Sequence, residues 1–268
     1  MNCAQMIKDI RCRLGLSQME LAGLLQVSFA TVNRWENGRS KPAPAAMQKL
    51  RELCRSCNLQ ILEDQGLYHV IAIKEDTAYF EREEERISKK KALELFDTGM
   101  IDAFETGTFK GLAQIHGYLF SEIYDFAGKM RSVNIAKGNF RFAPVLYLKP
   151  ALDHIEKMPQ DTFDHIIEKY VEMNVAHPFR EGNGRSMRIW LDAILKKELG
   201  QVIDWSKVDK EDYLLAMQRS PVKDIEIKAL LKPALTDRIH DREVYMKGID
   251  ASYRYEGYNV YKTEELKE

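Results

Sequence analysis

His177-Pro178-Phe179-Arg180-Glu181-Gly182-Asn183-Gly184-Arg185-Ser186-Met187-Arg188 is the stretch whose reading decides this chain. Pro178 disfavours helix at the residue before it, so a preceding helix stops at about His177. Gly182 and Gly184 bracket Asn183, which lets the backbone curl and aim several N–H groups at one point, an anion-binding nest. A new helix starts near Gly184, and its N-terminus adds partial positive charge. Arg185 and Arg188 are three apart and share one face near that end. Two guanidinium groups, a nest and a helix start together form a cradle for a polyphosphate. Glu181 offers one hard oxygen to Mg²⁺, which takes one or two carboxylates plus phosphate oxygens and water. His177 offers a base that can titrate near neutrality. Phe179 is an apolar peg that holds the loop to the core.

Outward from that loop the pattern is helical. Helical periods cover Glu81–Leu95, Phe109–Tyr124, Leu148–Met158, Phe163–Val175, Gly184–Glu198, Lys210–Met217, Asp224–Leu235 and Asp241–Tyr255. One stretch departs from it. In RSVNIAKGNFRFAP (131–144), Val133 and Ile135, then Phe140 and Phe142, alternate around Lys137-Gly138-Asn139, a hairpin signal. Its open edge can pair with an extended peptide, or the hairpin can simply be packed by its aromatics.

The first 58 residues read as four helices. Met6, Ile7, Ile10 and Leu14 form an apolar stripe that ends at Gly15. Ser17 with Glu20 makes a capping box for a second helix. Ser28 caps a third, Phe29–Glu36, which Asn37-Gly38 stops. Pro42 and Pro44 introduce a fourth, Ala45–Cys57. Residues 59–78 alternate in the extended manner, with Gln65-Gly66 at a turn, and read as a joint between modules.

The chain has 268 residues, 45% hydrophobic and 30% charged, enough for a sizeable core in one large domain or two modest ones. The net charge of −1 hides an asymmetry. Residues 1–60 carry nine Lys/Arg against four Asp/Glu, a net +5 beside −6 for the remainder. A basic head on an acidic body fits a small nucleic-acid-binding module joined to something else. No apolar run reaches the ~18 residues of a membrane span, and the first residues lack a signal-peptide core, so a cytoplasmic location is expected. Cys54 and Cys57 form a CxxC, but zinc needs two more ligands at matching spacing, so reduced thiols are expected.

The motif at 177–188 resembles the signature of the Fic family, HxFx(D/E)GNGRxxR, with every fixed position present. The flanking LFSEIYDFAGKMRSVNIAKGNFRFAP (119–144) is similar to that family's upstream helix and flap, and the likeness spans roughly 80–257. The segment LSQMELAGLLQVSFATVNRWENGRSKP (16–42) resembles the helix-turn-helix of phage-repressor (Xre-type) regulators. The fold implied is mainly α: a helix-turn-helix bundle at 1–58, a short extended linker at 59–78, and a helical Fic core at 79–268 bearing the hairpin flap.

The Fic resemblance implies protein AMP transfer, with ATP as substrate and Mg²⁺ as cofactor. His177 would take the proton of a Ser, Thr or Tyr hydroxyl on a target protein, and Glu181 would hold Mg²⁺. Gly182, Asn183 and Gly184 would grip phosphates. Arg185 would stabilise the leaving phosphates, and Arg188 would reach the γ-phosphate. Lys137 and Asn174 would approach the nucleotide. Leu214 and Met217 are candidates for the adenine slot or plain core. Val133, Ile135, Phe140 and Phe142 would dock the target. SYRYEG (252–257) resembles the family's inhibitory motif, which implies a C-terminal inhibitory helix at about 241–257. There Ser252, Glu256 and Gly257 would act as a brake through a Glu256–Arg188 pair, and Tyr253 is a candidate for self-modification. Toxin-like activity on a target, type II topoisomerases among the first to test, follows from the same likeness. In the head, the helix-turn-helix resemblance implies DNA contacts through Gln18, Ser28, Phe29, Thr31, Arg34 and Arg39. Self-association is left open. The alternatives are a DNA-binding autoregulator with a regulatory Fic body, and a Fic enzyme that transfers another phosphate-linked group or removes AMP.

Overall fold

The computed structural model describes residues 1–57, 59–64, 66–72, 74–137 and 140–266. The chain divides into two compact units, Met1–Phe80 and Glu81–Glu268.

The first unit holds α1 (Cys3–Arg13), α2 (Gln18–Leu25), α3 (Phe29–Glu36) and α4 (Pro44–Ser56), followed by an antiparallel pair, β1 (Leu59–Asp64) and β2 (Leu67–Ala72). The expected signals act where they stand in sequence. The Ser17 hydroxyl accepts from Glu20 N–H while the Glu20 carboxylate accepts from Ser17 N–H, starting α2. Ser28 caps α3 through Thr31 N–H. Pro44 sits in the first turn of α4, where its missing N–H costs nothing. Gln26, at φ +57°, makes the left-handed turn between α2 and α3.

Met6, Ile7, Ile10, Leu21, Leu25, Val32, Trp35 and Leu50 fill the core together with Leu59, Ile61 and Val70. The segment read as a joint therefore belongs to the first unit, because its apolar residues complete that small core. The turn expected at Gln65-Gly66 falls partly on residue 65, outside the described residues. Cys3 and Cys54 are buried thiols, and Cys12 and Cys57 are exposed ones.

The unit boundary falls within α5 (Lys74–Asp97), which is longer than the expected 81–95. The second unit continues with α6 (Phe109–Phe120), the hairpin β3 (Ala136–Lys137) and β4 (Phe140–Arg141), α7 (Val145–Glu156), α8 (Phe163–Ala176) and α9 (Asn183–Leu199). Then come β5 (Val202–Ile203), α10 (Lys210–Arg219), α11 (Ile225–Leu231), β6 (Leu235–Thr236) and α12 (Arg242–Tyr255). β5 and β6 pair antiparallel. α6 stops before the expected Tyr124, ahead of turns that end at Gly128 with φ +71°. α11 gives way to a 3₁₀ turn at Lys232–Ala234, because Pro233 has no N–H to continue an α-helix.

α9 is apolar on most of its circumference, and such a helix must lie inside the fold. Met187, Ile189, Trp190, Leu191, Ile194 and Leu195 are all buried, and the helix packs against α6, α8 and α12. The start of this central helix carries the motif, so the motif rests on the most enclosed element of the unit. Among the described residues no helix is long and apolar enough to cross a membrane.

Candidate active site

The site begins where α8 ends. His177 closes that helix in the left-handed region, at φ +48°, a strained conformation for a side chain with a Cβ. Pro178 then turns the chain away, and Phe179 is fully buried against His116, ring centroids 3.8 Å apart. Asn183 locks the loop: its Oδ1 accepts from Phe179 N–H and its Nδ2 donates to Phe179 O, both at 2.9 Å. The amide expected to grip phosphate is thus spent on the loop backbone. Gly182 has φ +75°, and a Cβ there would lie 2.6 Å from the Phe120 ring, so only glycine fits. His116 braces the loop from below. Its Nε2–H donates to Glu181 O at 2.8 Å, and its Nδ1 accepts from Gly128 N–H at 2.9 Å. Burial holds this imidazole down to about 4, so it stays neutral.

Both motif arginines are buried and engaged. Arg188 donates from Nε to Ser252 Oγ at 2.7 Å and from Nη2 to Ser252 O at 2.8 Å. The same Nη2 meets Glu256 Oε1 at 3.0 Å. The Glu256 carboxylate lies over the start of α9, where a Cβ on Gly184 would come within 2.2 Å of its Oε1. Burial alone would raise the Glu256 pKa, but Arg188 and Lys137 override it and hold the group at about 2. An anion therefore already fills the helix-start cradle, and it belongs to the chain itself. A Schellman motif sets its position: Tyr258 N–H bonds Tyr253 O and Gly257 N–H bonds Arg254 O, with Gly257 at φ +97°.

Arg185 is 1% exposed and pairs with Glu84 Oε1 at 2.7 Å, with Glu181 Oε1 further off at 3.4 Å. Phe120, Tyr253 and Tyr258 offer their ring faces within 4.6–5.3 Å of its guanidinium carbon. Its Nε and Nη1 have no hydrogen-bond partner among the described residues. Burial opposes the charge on Arg185, yet the surrounding tyrosines and Glu84 raise its pKa.

The His177 ring is oriented by its neighbours. Nδ1–H donates to Asn174 O at 3.1 Å, which leaves Nε2 as the basic nitrogen. Phe142 stacks on the ring with centroids 3.6 Å apart and planes 17° from parallel. Burial lowers the imidazole pKa to about 4. The flap is a short hairpin, Ala136 opposite Arg141 and Lys137 opposite Phe140. Its expected tip, Gly138-Asn139, lies outside the described residues. Lys137 Nζ reaches Glu256 Oε2 at 3.2 Å. Glu181 projects outward with 56% of its side chain exposed, its Oε1 accepting from Gly182 N–H.

His177, Glu181, Gly184, Arg185, Arg188, Lys137, Ser252 and Glu256 are thus linked around one loop. Other expected residues stand apart. Met217 is packed into the core and Leu214 is exposed, since α10 turns Tyr213, Ala216 and Met217 inward. Phe142 covers His177, while Val133 is exposed and Ile135 and Phe140 are half-buried. Tyr253 is buried, so self-modification there needs α12 to open. Asn174 contributes its carbonyl to His177. Sequence reasoning missed Glu84, His116 and Arg131. Glu84 sits in a run of acids, EREEER (81–86), where spacing does not mark which one turns inward.

In the first unit, Ser28, Phe29, Arg34 and Arg39 are exposed at and beyond the start of α3. Thr31 is half-buried, its hydroxyl 2.8 Å from that of Ser28. Gln18 differs from expectation. It donates to Glu36 at 2.7 Å and accepts from Asn33 at 3.2 Å, so its side chain ties α2 to α3.

Comparison with known proteins agrees with both units. Residues 107–195 match the Fic/DOC family, and residues 7–62 match a helix-turn-helix family. The protein adenylyltransferase VbhT of Bartonella schoenbuchensis is 30% identical over 219 residues, covering 72% of this chain and 44% of that protein. The probable protein adenylyltransferase Fic of Escherichia coli K12 is 30% identical over 125 residues, covering 42% of this chain and 62% of that protein. The chain thus spans less than half the length of the first relative and under two-thirds of the second. The crystal structure of the N-terminal FIC domain of Bep8, a VirB-translocated effector from Bartonella sp. 1-1C, superposes with a TM-score of 0.50 at 15% identity. That match covers 63% of this chain and 88% of the Bep8 chain, and it is a likeness of fold.

Proposed function

We propose that this chain, in which a helix-turn-helix domain precedes a Fic/DOC domain, moves AMP from ATP to a hydroxyl of a target protein and is held in check by its own Glu256. What supports the reading is the convergence at the start of α9, where a helix N-terminus, Gly184 and Arg188 hold a carboxylate beside an imidazole kept neutral by burial.

His177 Nε2 takes the proton of a Ser, Thr or Tyr hydroxyl as its oxygen attacks the α-phosphorus. The bond from that phosphorus to the bridging oxygen breaks, and pyrophosphate leaves. With Nδ1–H fixed on Asn174 O, Nε2 is ready to accept without a tautomer change. The N–H groups of the first turn of α9 face the phosphates, and Asn183 keeps the loop in shape for them. Arg188, freed from Glu256, meets the γ-phosphate. Arg185 has Nε and Nη1 to spare for phosphate oxygens. Placement and electrostatics do most of such a reaction.

The donor set fits Mg²⁺. Glu181 is one half-exposed carboxylate, and among the described residues no group of three His, Cys, Asp or Glu forms a dedicated cage. Magnesium is commonly held by one or two carboxylates together with substrate phosphates and water. When bound there it would neutralise charge on the phosphates.

Glu256 excludes that arrangement, because its carboxylate takes the Arg188 donor and the space above Gly184. Lys137 closes the same ring from the flap. Mass spectrometry of cell extract incubated with MgATP and the Glu256→Gly protein should find AMP on protein hydroxyls. Type II topoisomerases are the first targets to inspect. Adding His177→Ala should abolish the adduct, and an adduct that survives it removes His177 from the reaction.

A second reading concerns the head. The helix-turn-helix match and the basic charge of residues 1–60 favour DNA binding through the exposed start of α3. It coexists with AMP transfer, since the two use different units.

A further inference from the structure

Arg131 lies in the segment that leads into the flap and is 2% exposed. Its guanidinium donates from Nε to His177 O at 2.8 Å and from Nη1 to Val133 O at 2.8 Å. Its Nη2 serves Ala176 O at 3.1 Å and also Ala143 O. The Arg131 N–H itself donates to Pro178 O at 2.8 Å. One side chain therefore holds the last carbonyls of α8 and both roots of the flap hairpin. A second strut runs parallel to it, as Ala143 N–H donates to Val175 O at 3.0 Å. Beyond these struts Phe142 lies flat on the His177 ring.

An arginine suits the place for two reasons. The C-terminal carbonyls of a helix carry partial negative charge, so a cation among them is favoured. A planar fork can serve carbonyls that approach from several directions, whereas an ammonium offers three donors from one point. A side chain kept only to fill space would need neither the fork nor partners on both flap roots.

We propose that Arg131 is a positioning residue for AMP transfer, fixing the distance and angle between the target-holding hairpin and the His177 imidazole. The proposal rests on the transferase reading above. A target segment laid along the flap presents its hydroxyl to Nε2 only if hairpin and imidazole keep one register. A misplacement of about 1 Å can cost on the order of 100-fold in rate.

The test compares full-length Glu256→Gly protein with the same protein carrying Arg131→Lys. Affinity for a non-hydrolysable ATP analogue should be unchanged, since the phosphate cradle lies on α9. The kcat for a protein target should fall by about 100-fold. Hydrogen exchange at residues 132–137 and 140–143 should rise, and diethyl pyrocarbonate should modify His177 faster as Phe142 loosens. Parent-level exchange and modification would overturn the proposal. If Arg131→Lys loses nucleotide binding because the fold fails, Phe142→Ala replaces it at a half-buried position. That variant should lower kcat with nucleotide affinity kept, and parent-level kcat would again overturn the proposal. Absence of AMP transfer in the Glu256→Gly parent would sink the transferase reading on which the proposal rests, and the two failures are told apart because exchange and His177 modification report the Arg131 link without any transfer.

Discussion

At the scale of single residues, His177 stays neutral and Glu256 stays ionised across the physiological range, and burial and neighbours explain both. His177, held down to about 4, is neutral at pH 7 and stays so well below the ordinary histidine value. The rate of the Glu256→Gly protein should therefore be flat from about pH 6 to 8 and fall only at lower pH, since the base acts in its neutral form. An acid limb centred on the ordinary value of 6.5 would show that the imidazole is not enclosed as described. Glu256, held at about 2, contributes to the folded state above its unfolded pKa, and that contribution is lost only as pH falls through the folded value. Mild acid should not release the brake: wild-type transfer at pH 5.5 should be no higher than at pH 7.

Glu84 makes a different demand. Replacing it with Gln leaves Arg185 charged and buried without its closest carboxylate, which typically costs about 3–5 kcal/mol and is measurable by urea unfolding. The motif residues were legible in sequence because their spacing sets them on one loop and helix turn, and the Glu256–Arg188 pair because SYRYEG (252–257) resembles an inhibitory motif of the Fic family. Glu84, His116 and Arg131 were not, because their partners lie on segments far along the chain.

At the scale of elements, the motif loop owes its shape to what surrounds it. Gly182→Ala adds a Cβ at φ +75° and 2.6 Å from Phe120, so it should destabilise the protein by about 1–3 kcal/mol in chemical denaturation. α12, which carries the proposed brake, is held from beyond its end. Tyr258 donates to Glu84, the N–H groups of Val260 and Tyr261 donate to Glu85, and Lys89 donates to Tyr261 O. Thr263 is tied to Asp250 on α12 itself. Truncation after Gly257 should therefore raise hydrogen exchange in α12 and partly release AMP transfer. A truncated protein as inactive and as protected as wild type would mean that core packing and the Arg188 contacts hold the helix without the tail.

Helix caps and stops were readable because each is local: Ser17, Ser28, Pro44 and Pro178 act on their immediate neighbours. The tail's grip on α5 was not readable, and neither was the membership of β1–β2 in the first core, since both depend on tertiary packing. α10 shows the same limit. Its apolar residues were visible, but which of Leu214 and Met217 faces inward depends on the helix it meets.

At the scale of the whole molecule, the chain holds two units with separate cores, and the excess of base lies in residues 1–60 of the first. Full-length His177→Ala protein should still bind DNA, with affinity that falls as salt rises because phosphate contacts release counterions. Arg34→Ala and Arg39→Ala should each weaken binding and flatten that dependence. No DNA binding even at low salt would assign the head to protein contacts instead, and binding that survives both changes would remove Arg34 and Arg39 from the interface.

Under the proposed function, the pocket at the start of α9 delivers the α-phosphate of ATP once Glu256 leaves it. The most direct measurement incubates Glu256→Gly protein and cell extract with ATP labelled at either the α- or the γ-phosphate. Label from the α position alone should appear on protein, more strongly than with wild type and not at all with His177→Ala. Label from the γ position that depends on the added protein, or equal labelling by wild type and Glu256→Gly, would rule out AMP transfer restrained by Glu256.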